Sequence, residues 1–163
     1  MMKIKVGDIL PSAEFFYLDE QNNVKKISSN SLFKNQKAIL IGVPGAFTKV
    51  CSLKHLPSFV TNFQKAKKKG VTKIICVSVN DPNVMKAWGE SQNVNGKIFM
   101  AADPNCEFIK LIGADVDKSE KGLGTRSSRF TMFVDNEKVK IIKEESDTGT
   151  CEVSAAENFL NEL

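Results

Sequence analysis

Arginine and histidine are almost missing from this chain. Of its 23 cationic residues only Arg126 and Arg129 are arginine, leaving 21 lysines, and His55 is the single histidine. With one histidine, and with four cysteines (Cys51, Cys76, Cys106 and Cys151) that form no C-x-x-C pair, no ligand set is spaced for zinc. Four dispersed cysteines in 163 residues are also too few for a disulfide scaffold. No apolar run approaches about 18 residues, so no membrane span is expected. Met1 to Gly7 shows neither the apolar core of a secretory signal nor the Arg- and Ser-rich character of a transit peptide. A cytoplasmic location is expected for the sequence as given, an organellar one if a transit peptide has been removed. Aromatics make up 8%, nearly all Phe, and no Arg-rich stripe exists, so nucleic-acid binding is not expected. The one dense basic cluster, Lys65 with Lys67 to Lys69, reads as the solvated end of a helix, where cations suit the dipole.

What is present reads as one globular domain spanning residues 1–163. The chain is 42% hydrophobic and 26% charged, with a net charge of +4. Ala38 to Val43 is a continuous apolar run ending at Pro44, as in a strand buried on both faces. Leu53, Leu56, Val60, Phe63 and Ala66 recur at helical spacing between Thr48 and Lys69. Pro57 should kink that helix and Gly70 should end it. Ile74 to Val79 is a second buried strand; Asp81 and Pro82 open a helix through about Ser91; Ile98 to Ala102 is a third strand. A short helix is expected from Asn105 to Ile112, then a long loop from Gly113 to Ser128. Phe130 to Val134 and Val139 to Ile142 form a hairpin around Asp135-Asn136-Glu137. Ser154-Ala155-Ala156-Glu157 has the form of a capping box opening the last helix. Near the N-terminus, Glu14 to Leu18 and Val24 to Ile27 suggest another hairpin. This order fits an α/β, thioredoxin-like fold: a central mixed sheet flanked by helices, with an N-terminal β-hairpin extension.

The chemistry concentrates where the first buried strand ends. In Val43-Pro44-Gly45-Ala46-Phe47-Thr48-Lys49-Val50-Cys51, a Pro-Gly turn leads into a helix with Thr48 as the expected N-cap. Cys51 then falls in the first turn. Unpaired backbone N–H groups and the helix dipole there favour an anion, and the thiolate is the nucleophilic form of cysteine. Spacing alone leaves a buried structural cysteine as an equal alternative.

Pro44-x-x-x-Thr48-x-x-Cys51 resembles the peroxiredoxin active-site motif. The wider PGAFTKVCSLKHLPSF, together with KGVTKIICVSVNDPNVMKAWGES, EKGLGTRSSRF and the C-terminal VSAAE, is similar to the atypical type II (peroxiredoxin-5-like) branch, and most to its plant-type members. The resemblance covers nearly the whole chain. It implies a thiol-dependent peroxidase that reduces hydrogen peroxide and organic hydroperoxides, with antioxidant and redox-homeostatic roles. Under it Cys51 is the peroxidatic cysteine, oxidised to a sulfenic acid. Thr48 offers a hydroxyl to thiolate and peroxide, Pro44 shields the thiolate from water, and Arg129 stabilises the thiolate and holds the peroxide. His55 and Arg126 become supporting residues around the site. The branch usually has proline after Thr48; here Lys49 adds a cation at the pocket mouth, expected to favour an anionic reductant such as glutathione.

The resemblance leaves the recycling step open. Cys76 matches a cysteine assigned resolving duty in plant-type members, Cys151 lies near where animal-type members keep theirs, and Cys106 has no clear counterpart. Either Cys76 or Cys151 would need local unfolding to reach Cys51. The expectation is a one-Cys-like cycle with an external thiol, glutathione with glutaredoxin or thioredoxin, and no bound metal or organic cofactor. A compact non-covalent homodimer is implied, with Phe47 a candidate contact unless it packs in the core. Two rival readings share these residues: a redox sensor or relay passing oxidation to a client protein, and a holdase-type chaperone.

Overall fold

The computed structural model describes residues 1–163. Its elements run β1 (Glu14–Leu18), β2 (Val24–Ser28), α1 (Ser29–Phe33), β3 (Lys37–Gly42), α2 (Leu56–Thr61), α3 (Phe63–Lys68), β4 (Lys73–Ser78), α4 (Pro82–Ser91), β5 (Phe99–Ala102), α5 (Glu107–Leu111), β6 (Asp115–Asp117), β7 (Thr125–Ser127), β8 (Phe130–Asp135), β9 (Lys138–Glu144) and α6 (Ala156–Phe159). Seven strands form one sheet in the order β2-β1-β5-β4-β3-β8-β9. The centre, β3-β4-β5, is parallel, and both flanks are antiparallel. This is the mixed, thioredoxin-like α/β arrangement expected.

The central strands read as unbroken apolar runs because both sheet faces are covered. Along β3, Leu40 packs with Phe15, Phe33, Val77 and Phe108 on one face. Its neighbours Ile39 and Ile41 join Cys76, Phe59, Trp88 and Phe159 on the other, following the two-residue period of a strand. Cys51 belongs to this second layer.

Five details depart from the expectation. The N-terminal hairpin joins the sheet itself, because β1 pairs with β5 at Phe16 and Ala102. α1 follows directly on β2, capped by the Ser28 side chain accepting from the Ser31 N–H. Residues 113–128 are not a structureless loop: β6 and β7 pair, with Val116 opposite Arg126, around a short 3₁₀ turn at Ser119–Lys121. The helix after Thr48 is broken twice. A π-turn occupies Cys51–His55, just ahead of Pro57, which has no N–H to donate back along the helix, and Asn62 separates α2 from α3. Finally, the capping box does not form. Ser154 N and Oγ both donate to Glu145 Oε1, at 2.9 and 2.8 Å, so Ala155 takes the cap position without a side-chain bond.

Gly42 ends β3 opposite Phe130, and a Cβ there would overlap the Phe130 ring. Gly42→Ala is therefore expected to destabilise the fold by about 1–3 kcal/mol through overpacking. Equilibrium urea unfolding measures this, and an unchanged midpoint would contradict the packing argument.

Candidate active site

β3 delivers the chain to a tight turn that the structure pins at several points. Ala46 N donates to Asn80 Oδ1 at 2.9 Å, and Arg126 Nη1 donates to Pro44 O at 3.1 Å. Arg126 also donates from Nε to Leu123 O at 2.8 Å, so it ties the β6–β7 hairpin to the turn. A side chain at position 45 would collide with its guanidinium. Thr48 O accepts from Ser52 N at 2.9 Å, which is an N-cap role for its backbone. The Thr48 hydroxyl instead donates to Gly45 O at 2.7 Å, so it does not cap the helix.

The π-turn then places Cys51 and His55 on one inward-facing side. In the turn, Leu56 N donates back to Cys51 O. Both side chains are fully buried and both meet Arg129. Arg129 Nη2 donates to Cys51 Sγ at 3.2 Å, and Nη1 donates to His55 Nδ1 at 3.2 Å. His55 therefore shares the guanidinium with Cys51.

Arg129 itself is 1% exposed. Its Nε and Nη2 donate to Thr148 O at 3.2 and 3.0 Å. No carboxylate pairs with it; the only ion pair in the molecule joins Lys143 to Glu162. A guanidinium can only donate, so His55 Nδ1 must carry its lone pair. The ring hydrogen then sits on Nε2 and donates to Thr131 Oγ1 at 2.9 Å, and Thr131 donates on to Ser154 O at 2.7 Å. Burial first, and then the Arg129 charge, push His55 down to about 3. His55 is thus a neutral acceptor near pH 7 and no general base. Among the groups hydrogen-bonded to Arg129, only the Cys51 sulfur can become an anion.

The remaining cysteines stand apart chemically. All four are free thiols. Cys76 lies mid-β4 opposite Ile41, where burial, and next the proximity of Cys51, push its thiol up. Cys106 packs into the core layer on the opposite sheet face, on left-handed backbone at φ 56°, and burial raises it too. Cys151 is half-buried, 3.8 Å from Ser154 Oγ, and is likewise raised by burial. Phe47 is 58% exposed on left-handed backbone, which removes core packing as its role. Lys49 is exposed beside it. No group of three His, Cys, Asp or Glu side chains is arranged to hold a metal, and no helix is long and apolar enough to cross a membrane.

The redoxin family model matches residues 5–160. Peroxiredoxin-2B of Arabidopsis thaliana is 44% identical over 163 residues, covering 100% of both chains. This chain is a peroxiredoxin. The chloroplastic peroxiredoxin-2E of the same plant is 40% identical over 98% of this chain and 69% of its own length. The crystal structure of reduced Prx3 from Vibrio vulnificus in complex with H2O2 superimposes with a TM-score of 0.92 at 40% identity, covering 98% of each chain. The protein is accordingly a thiol peroxidase of the type II, thioredoxin-fold branch.

Three contributors to the peroxiredoxin site escaped sequence reasoning. Thr148 acts through its carbonyl, which no side-chain pattern encodes. Thr131 is one more polar residue within a strand, and only its register shows that it faces His55. Trp88 donates from Nε1 to Ser52 Oγ at 2.9 Å, tying α4 to the turn that carries Cys51.

His55 gives a pH prediction. Its folded value lies below the unfolded value of about 6.5. The unfolded chain therefore binds more protons between these values. The stability involved is whole above about 6.5 and is lost as pH falls towards 3, by up to about 1.4 kcal/mol per pH unit. His55→Gln, which keeps an acceptor and a donor, should show a flatter loss of stability on acidification than wild type. Identical slopes in denaturant unfolding would refute the neutral buried histidine.

Proposed function

We propose that the Cys51 thiolate attacks one oxygen of hydrogen peroxide or an alkyl hydroperoxide. The S–O bond forms as the O–O bond breaks, the sulfur is oxidised by two electrons to sulfenic acid, and the departing hydroxide or alkoxide takes a proton to leave as water or alcohol. The observation that carries this reading is the buried Arg129 with Cys51 Sγ at 3.2 Å and no carboxylate. Negative charge in the transition state spreads over sulfur, both oxygens and the leaving group. A fixed guanidinium aimed at that charge stabilises it more than the ground state. The Thr48 hydroxyl, with its hydrogen committed to Gly45 O, presents lone pairs that can accept the peroxide O–H. Buried Pro44 excludes water, Arg126 fixes the Pro44 carbonyl and so the turn, and His55 holds the second nitrogen of Arg129.

Recycling is assigned to an external thiol, glutathione with glutaredoxin or thioredoxin. Raised Cys76 and Cys151 are poor nucleophiles near pH 7, and Cys76 is locked into the sheet centre. Phe47 at 58% and Leu53 at 68% exposure give the site's surroundings an apolar surface suited to a second copy in a homodimer.

Cys51→Ser should abolish turnover, and Arg129→Lys, which keeps charge but loses the planar fork, should cost about 10²-fold, or about 3 kcal/mol, in the rate of Cys51 oxidation. Stopped-flow kinetics test both, and full turnover by Cys51→Ser would end the assignment. Non-reducing mass spectrometry after one equivalent of peroxide, on wild type and on Cys76→Ser and Cys151→Ser, should find sulfenic acid at Cys51 and no internal disulfide. A Cys51–Cys76 or Cys51–Cys151 bridge would replace the external thiol by an internal one.

A further inference from the structure

Arg129, which lies between β7 and β8, is aimed by a segment that follows β9. Residues 145–154 leave the end of β9 and loop back towards α6, and Thr148 in this loop supplies the carbonyl that accepts from Arg129 Nε and Nη2. The loop is closed by its own first side chain. Glu145 Oε1 accepts from Glu152 N at 2.6 Å, Ser154 N at 2.9 Å and Ser154 Oγ at 2.8 Å. Its Oε2 accepts from Thr150 Oγ1 at 3.4 Å. Glu145 N also donates to Arg129 O at 2.9 Å, so the loop starts directly beside the arginine backbone.

Two separate paths lead from this carboxylate to the guanidinium. The first runs through the loop to Thr148 O and fixes the Nε–Nη2 edge. The second runs through Ser154, whose carbonyl accepts from Thr131 Oγ1; that oxygen accepts from His55 Nε2, and His55 Nδ1 accepts from Arg129 Nη1. The second path also fixes the histidine tautomer. With the hydrogen on Nδ1 instead, His55 and Arg129 would face each other as two donors. Held on both edges, the guanidinium plane can present Nη2 to the sulfur in only one way.

We propose that Glu145, which touches neither sulfur nor peroxide, is a positioning residue for peroxide reduction and acts by holding Arg129 in register with Cys51. The proposal rests on the thiol-peroxidase reading of Cys51 and Arg129. Its chemistry follows from the donors left behind. Glu145→Ala strands the Glu152 and Ser154 N–H groups and the Ser154 hydroxyl, and the loop must rearrange to satisfy them. Burial raises the carboxyl, but bonds from Ser154, Glu152 and Thr150 more than offset this and hold it below the usual range, so these donors meet an anion.

A double-mutant cycle on the rate of Cys51 oxidation by hydrogen peroxide tests the idea. Glu145→Ala should slow oxidation about 10- to 100-fold, as expected for a misplaced catalytic group. Glu145→Gln, which keeps an acceptor oxygen in place, should recover most of the loss. In an Arg129→Lys background, where the fork is already gone, Glu145→Ala should cost little more. Should the alanine variant fail to fold, Glu145→Asp, which shortens the reach by one methylene, takes its place in the cycle. Wild-type oxidation in the same series reads the underlying activity separately. A full rate in Glu145→Ala, or an equal loss in both arginine and lysine backgrounds, overturns the proposal.

Discussion

A guanidinium buried to 1% exposure without a carboxylate beside it is the constraint around which the rest of the site is arranged. Removing such a charge from water is costly unless its donors are met and some negative charge balances it. The protein meets the donors with neutral acceptors, the Thr148 carbonyl and the His55 ring nitrogen. It supplies no permanent anion. Among its hydrogen-bonded partners only the Cys51 sulfur can carry a negative charge, and in the proposed reaction that sulfur attacks peroxide. A carboxylate in place of His55 would satisfy Arg129 by itself and weaken its hold on the sulfur.

The scaffold serves this arrangement from two sides. β3 and the turn after it bring Cys51 to the sheet end, with Arg126 and Asn80 fixing the turn. β8 starts at Phe130 directly after Arg129, and its pairing with β3, Gly42 opposite Phe130, sets how close arginine and cysteine come. The π-turn is the local adjustment that lets Cys51 and His55 both face one guanidinium. Such turns recur at functional sites because they redirect side chains without ending a helix.

Much of this was legible in the sequence where side-chain chemistry and spacing carry the signal. The apolar runs of β3 and β4 pointed to the fold, whereas the candidate reactive centre came from the family resemblance of the Pro44-to-Cys51 motif and the segment holding both arginines, since spacing alone left Cys51 an equal structural alternative. What escaped depends on long-range partners. Ser154 and Glu157 have the spacing of a capping box, but Glu145 claims Ser154 from nine residues away. β6 and β7 hold three residues each with Val116 as their only apolar side chain, so the runs are too short for an alternation of apolar and polar positions to mark them. The contact of His55 with Arg129 carries no sequence signal, because it depends on the π-turn and on a partner 74 residues away. The left-handed backbone at Phe47 and Cys106 likewise leaves no trace in residue type.

The central proposal is that the Arg129 guanidinium stabilises the negative charge that develops as the Cys51 sulfur attacks peroxide. The most direct measurement is the rate of Cys51 oxidation by hydrogen peroxide in wild type and in Arg129→Met, each shown to be folded. The account predicts a rate about 10²-fold or more lower in Arg129→Met. An equal rate in wild type and Arg129→Met would show that the reaction does not need the guanidinium, and would contradict it.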